Sequence, residues 1–70
     1  MLGNPLAHNL IVERRKRNMT IKEFAKFLGV SPSTLFSWEN GASPRNFNYL
    51  KQLAIKLEMP LSLLVLGEWS

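Results

Sequence analysis

Apolar residues along this chain recur at helical rather than strand spacing. The clearest stretch is Thr20 to Gly41, TIKEFAKFLGVSPSTLFSWENG. Phe24, Ala25 and Leu28 make one apolar face, and Leu35 and Trp38 make a second one further on. Thr20 and Glu23 have the spacing of a capping box, which starts a helix at Ile21. Met19 and Phe24 stand where a hydrophobic staple would, and Val30 and Leu35 repeat that spacing. Gly29 follows Leu28, where helices commonly close in a left-handed conformation that glycine adopts without penalty. Ser31 is a good N-cap and Pro32 a favoured first helical residue, so a second helix runs from Pro32 to about Asn40.

Two capped helices with so little chain between them must cross steeply, the shape of a helix-turn-helix. On the second helix Ser33, Phe36, Ser37 and Asn40 lie at i, i+3, i+4 and i+7 and point outward together. A bundle needing only stability gains little from an aromatic there. Upstream, Asn4 and Pro5 suit a helix start; Leu6 and Leu10 share a face that Arg14 continues. That helix ends near Arg17, with Asn18 in the left-handed position. Downstream, Asn40 to Pro44 is a loop by composition. A helix from about Asn46 then carries Phe47, Leu50, Leu53, Ala54 and Leu57 on one face, until Glu58-Met59-Pro60 breaks it. Leu61 to Leu66 is a last short helix, closed by Gly67.

Five helices without strands predict an all-α bundle of one domain over residues 1–70. Residues 1–4 form a loose arm, 20–41 the helix pair, and 61–70 an apolar C-terminal segment. In that segment Leu61, Leu64 and Val65 face inward, which leaves Leu63, Leu66 and Trp69 as candidate dimer contacts. The alternative is that Trp69 folds back onto its own chain.

Composition narrows the classes. Seventy residues leave no room for a second domain. With no cysteine, disulfides and thiolate metal sites are excluded. An apolar content of 46% places the chain well above disordered sequences. No apolar run approaches the roughly 18 residues that span a bilayer. The N-terminus lacks the charged start and apolar core of a secretion signal, so a cytoplasmic location is the expectation and no membrane partner is expected. Net charge is +4, and Arg14, Arg15, Lys16, Arg17 and Lys22 fall close together. Such a run either attracts a polyanion or stabilises a helix C-terminus, and charge alone does not choose between these.

An enzyme is disfavoured. His8 is the only histidine and has no second ligand at metal spacing. Glu13, Glu23, Glu39, Glu58 and Glu68 are scattered, and there is no glycine-rich phosphate loop or nucleophile–base set. No cofactor, metal or small-molecule substrate is therefore expected.

The sequence resembles the helix-turn-helix family of lambdoid phage repressors and Cro proteins, and the related XRE-type regulators, over about Leu6 to Gly67. The residues carrying the resemblance are Phe24-Ala25, Gly29-Val30-Ser31, Leu35, Trp38-Glu39-Asn40-Gly41, Leu50, Leu53-Ala54 and Leu57. The resemblance implies a lambda-repressor-like bundle that binds double-stranded DNA, usually as a homodimer, and regulates transcription, often as a repressor. It places the second helix in the major groove and the first across the backbone. Carried over by position, Pro32, Ser33, Thr34, Phe36 and Ser37 would face bases or nearby phosphates. Asn40 would bond a phosphate. Thr20, Lys22 and Ser31 would lie along the sugar-phosphate chain, and Arg45 would reach a phosphate or the minor groove. Arg14 and Glu39 match a pair that is ionic in this family, so they are expected to be structural.

Some positions depart from the family pattern. Ile21 stands where glutamine is frequent, and Glu58 where glycine is frequent. The reading face has no Gln, Asn or Arg at its N-terminal positions, so bidentate base pairing is weak there. Serine and threonine discriminate less, and Phe36 can pack only on a thymine methyl or a sugar. That composition keeps a second function open: a protein-interaction module of the same fold, such as an antitoxin or a small accessory subunit with a protein partner.

Overall fold

The computed structural model describes residues 5–66. Within them the chain forms α1 (Pro5–Lys16), α2 (Ile21–Leu28), α3 (Pro32–Glu39), α4 (Phe47–Leu57) and α5 (Leu61–Leu66), with no strand. The expected arm at 1–4, the closing Gly67 and the candidate contact Trp69 lie outside the described residues.

The helix ends follow from local chemistry. At α2 the Thr20 hydroxyl accepts from the Glu23 amide at 3.1 Å, and the Glu23 carboxylate accepts from the Thr20 amide at 2.9 Å. Two orphan amides are thus satisfied reciprocally. At the other end Gly29 has φ +83°, and the amide of Val30 donates to the Ala25 carbonyl at 2.9 Å. This is a Schellman closure, and it turns the chain at once toward Ser31. Asn18 (φ 54°) and Glu58 (φ 55°) close α1 and α4 in the same way. A glutamate in that left-handed position is strained by about 1 kcal/mol, which glycine would avoid.

α1 packs against α3 and α5, α2 against α3 and α4, and α4 against α5. The core they enclose contains Leu6, Leu10, Phe24, Ala25, Leu28, Leu35, Trp38, Leu53, Leu57 and Leu64. Full burial of each large apolar side chain contributes about 1.5–3 kcal/mol. Met19 and Val30, the two staple residues, pack against this core from its edge. So does Ile21, which gives that departure from the family pattern a packing role.

One position differs from the periodic reading. Phe47 was placed on the inner face of its helix but is 58% exposed. It is the first residue of α4, whose buried residues, Leu53 and Leu57, lie in its second half. Its ring lies near the Lys51 ammonium, 5.9 Å from the ring centroid, and opens onto a groove with Leu50, Leu61, Val65 and Leu66.

Polar ties hold α1 to the rest. Arg14 makes a two-pronged contact to Glu39, Nε to Oε2 at 2.9 Å and Nη2 to Oε1 at 3.1 Å. It also donates to the Met19 carbonyl at 3.3 Å. The pair joins α1 to the last residue of α3. The Asn9 amide donates to the carbonyls of Leu63 (3.0 Å) and Leu64 (3.2 Å). Those carbonyls belong to the last turn of α5, where helix carbonyls commonly bond to groups outside the helix. Glu13 is buried and accepts from Arg17 at 2.6 Å and Lys16 at 3.2 Å. Burial alone would push the Glu13 carboxyl up; the hydrogen bonds and charges of Arg17 and Lys16 outweigh it and hold the group below its ordinary value.

Two outcomes follow for stability. Glu39 is the more buried partner of its pair, with a side chain 6% exposed against 20% for Arg14. Arg14→Met should therefore cost about 3 kcal/mol, because it strands a shielded carboxylate. Glu39→Gln, which keeps an acceptor and leaves Arg14 partly solvated, should cost less; urea melts of the two variants check the order. Glu13 sets an acid limit. Its folded pKa is depressed, so its contribution is whole above the ordinary glutamate pKa of about 4.3 and is lost as pH falls through the lower folded value. Melts of the wild type and Glu13→Gln should differ near neutrality and converge in that acid window. A gap that stays constant with pH would show that ionisation of Glu13 is not involved.

Candidate nucleic-acid interface

What α3 exposes is decided by what it buries. Leu35 is fully buried, and Trp38 is 5% exposed with its ring edge-on to Tyr49, centroids 5.7 Å apart. With these two facing inward on an eight-residue helix, Ser33, Phe36 and Ser37 face out, and all three are exposed. Phe36 is 59% exposed, an unusual state for a phenyl ring.

The start of α3 is a hydroxyl cluster. The Ser31 hydroxyl caps the helix, accepting from the Thr34 amide at 3.2 Å. It donates to the Thr34 hydroxyl at 2.8 Å and lies 3.3 Å from that of Ser33. Ser31 is thus committed to the fold, while Ser33 and Thr34 can still turn a hydroxyl hydrogen outward. Pro32 sits at the first turn, exposed. At the other end the Asn40 amide donates to the Phe36 carbonyl at 2.7 Å. The expected phosphate ligand thus spends one of its two N–H donors on its own helix, and the second stays available. Ser37 forms no hydrogen bond through its side chain among the described residues.

Thr20 and Lys22 are exposed at the start of α2. Thr20 accepts from Glu23 and keeps its own hydrogen to donate. Ile21 and Lys22 occupy the first turn, where amides have no carbonyl upstream to bond. Positive dipole charge and open amides favour an anion there, and the Glu23 carboxylate partly offsets both. Arg45 is exposed in the loop before α4. Neither Thr20, Lys22 nor Arg45 is bonded to the α3 cluster.

The basic run divides. Arg14 is held by Glu39, while Lys16 and Arg17 share Glu13. Arg17 also lies over the Phe27 ring, 5.3 Å from its centroid. Only Arg15 of the run and nearby Lys22 are in no ion pair among the described residues. Sequence reasoning sets Arg14 aside as the partner of Glu39 but misses Glu13 as the counter-charge of Lys16 and Arg17. The signal was present as Glu13 and Arg17 at i, i+4 spacing. Arg15 borders a groove of about 470 Å³ between α1 and the end of α3, with His8, Val12 and Asn40.

Among the described residues, the apolar C-terminal candidates Leu66 and Leu63 line different grooves. Leu66 is 63% exposed and lines a groove of about 330 Å³ with Phe47, Leu50 and Leu61. Leu63 is half-buried and lines another, with Glu13, Arg17 and Met59. Among the described residues no three His, Cys, Asp or Glu side chains are grouped to hold a metal ion, and no helix is long and apolar enough to cross a membrane.

No curated protein matches this chain. Among solved structures it is similar to the crystal structure of an HTH_3 family transcriptional regulator from Vibrio cholerae, with a TM-score of 0.69 and 28% identity. The match covers 87% of this chain and 34% of that one, so the chain spans about a third of that regulator's length. The family model HTH_3, described as helix-turn-helix, matches residues 11–64, and with its five helices in that arrangement the chain belongs to this helix-turn-helix family.

Proposed function

We propose that this protein binds double-stranded DNA with the exposed face of α3 in the major groove and regulates transcription without catalysis. The observation that carries the reading is the outward ridge of Ser33, Phe36 and Ser37 on a helix whose other side is locked by Leu35 and Trp38. Membership of the helix-turn-helix family supports it, as does the similarity to a transcriptional regulator. α2 lies across the backbone, with Thr20, Lys22 and the first amides of the helix toward phosphate. Pro32, Thr34, Ser31, Asn40 and Arg45 flank the contact. Two copies bind a two-fold site whose half-sites lie about 34–36 Å apart. Leu66 and Phe47, both exposed, offer the second copy an apolar surface at the α4–α5 groove.

That same groove favours a second reading, in which a protein partner occupies it and DNA binding is secondary. The helix-turn-helix would then belong to an antitoxin or accessory subunit. Co-purification of a stoichiometric protein, without retention of DNA, distinguishes it.

Selection of bound sequences from a random duplex pool tests the leading reading and should return a palindromic consensus. Affinity for the selected duplex should fall about a hundredfold between about 50 and 200 mM salt, as expected for roughly four neutralised phosphates. Ser37→Glu should abolish binding and leave the thermal melt unchanged, since Ser37 is exposed and without a bond to lose. Unchanged binding by that variant would take α3 out of the groove.

A further inference from the structure

The face that α3 presents is poor in the groups that usually read bases. Discrimination between base pairs in the major groove rests on side chains that pair with two edge atoms at once. Here the one amide on the face, Asn40, donates to the Phe36 carbonyl. The hydroxyls of Ser33, Thr34 and Ser37 both donate and accept, so they suit any base edge. What remains is Phe36, whose ring stands 59% exposed in the middle of the ridge, with Ser33 and Asn40 a turn to either side. It makes no aromatic or cation contact among the described residues.

The major-groove edge is polar with one exception, the C5-methyl group of thymine. A phenyl ring gains nothing by meeting a carbonyl or amino edge, which it would desolvate without pairing. Against a methyl group it buries apolar surface on both sides. We infer that Phe36 is the specificity-determining residue of this protein and reads C5-methyl groups of pyrimidines. The preferred site is then set by where such methyls stand. Cytosine methylated at C5 presents the same group and should be favoured over unmodified cytosine at the same place. The inference rests on the DNA-binding reading, and names what that surface distinguishes.

The test titrates the full chain onto the selected duplex and onto copies with deoxyuridine replacing each thymine in turn. Deoxyuridine removes the methyl and leaves the hydrogen-bonding edge unchanged. Low salt keeps phosphate contacts strong, so weak complexes remain measurable. At the contacted position the loss should be about four-fold, the effect of one buried methyl group. With cytosine at that position, C5-methylation should restore a similar factor. Phe36→Ala should bind both members of each pair equally, while Phe36→Leu, which keeps an apolar side chain, should retain the preference. Folding is not at stake in either variant, because the ring is exposed. Equal binding of thymine and deoxyuridine duplexes at every position overturns the inference and leaves DNA binding standing. A preference that survives in Phe36→Ala overturns the assignment to Phe36. Failure to bind any duplex removes the DNA-binding reading, and this one with it.

Discussion

Everything distinctive about this fold depends on the short link between α2 and α3. Gly29 must enter the left-handed region so that the Val30 amide can reach back to Ala25. Ser31 must then cap the next helix, and Pro32 must begin it. A side chain at Gly29 would meet no neighbour, so the demand is on backbone conformation and not on space. With α2 stopped and α3 started within this turn, the face of Phe24, Ala25 and Leu28 converges on that of Leu35 and Trp38. The orientation of Ser33, Phe36 and Ser37 is the geometric remainder of that convergence.

These features were readable in the sequence because they are local. A capping box, a left-handed glycine and a proline at the first turn act within a few residues, and each leaves a signature at fixed spacing. The burial of Leu35 and Trp38, and so the exposure of Phe36, followed from helical period alone. Other features had no local trace. Asn9 holds carbonyls of α5 more than fifty positions away in the chain. Phe47 has the right period for the core, but at the first position of its helix it is exposed. The Arg14–Glu39 contact was reached through family resemblance, because nothing in spacing brings residues on α1 and α3 together. For the candidate interface the sequence offered residues but not their commitments within the fold. The Asn40 amide and the Ser31 hydroxyl are already engaged within the free protein.

Charge shows the same division between a count and its placement. The run from Arg14 to Arg17 looks like a polyanion site in one dimension. In three dimensions most of it holds the fold: Arg14 ties α1 to α3, while Arg17 and Lys16 neutralise a buried carboxylate. Net charge is unchanged by such pairing, so long-range attraction to a polyanion survives. On the DNA-binding reading, close contact with phosphate would fall instead to cations outside the pairs, chiefly Arg15, Lys22 and Arg45, and to the open amides of α2.

On the proposed reading, affinity and selectivity come from different parts of the surface. Phosphate contacts by cations and helix amides are indifferent to sequence and weaken with salt. An apolar contact at the base edge adds little to the total, yet it is nearly independent of salt, because no counter-ion is released by burying a ring against a methyl group. Raising salt should thus lower the binding of every duplex while leaving the ratio between methylated and unmethylated edges almost fixed. A reading helix rich in arginine would not behave so, since its base contacts also carry charge. A ridge of hydroxyls around one exposed phenyl ring would separate the two contributions by chemistry: the flanks would fix the helix against the backbone, and the ring would sample the floor of the groove.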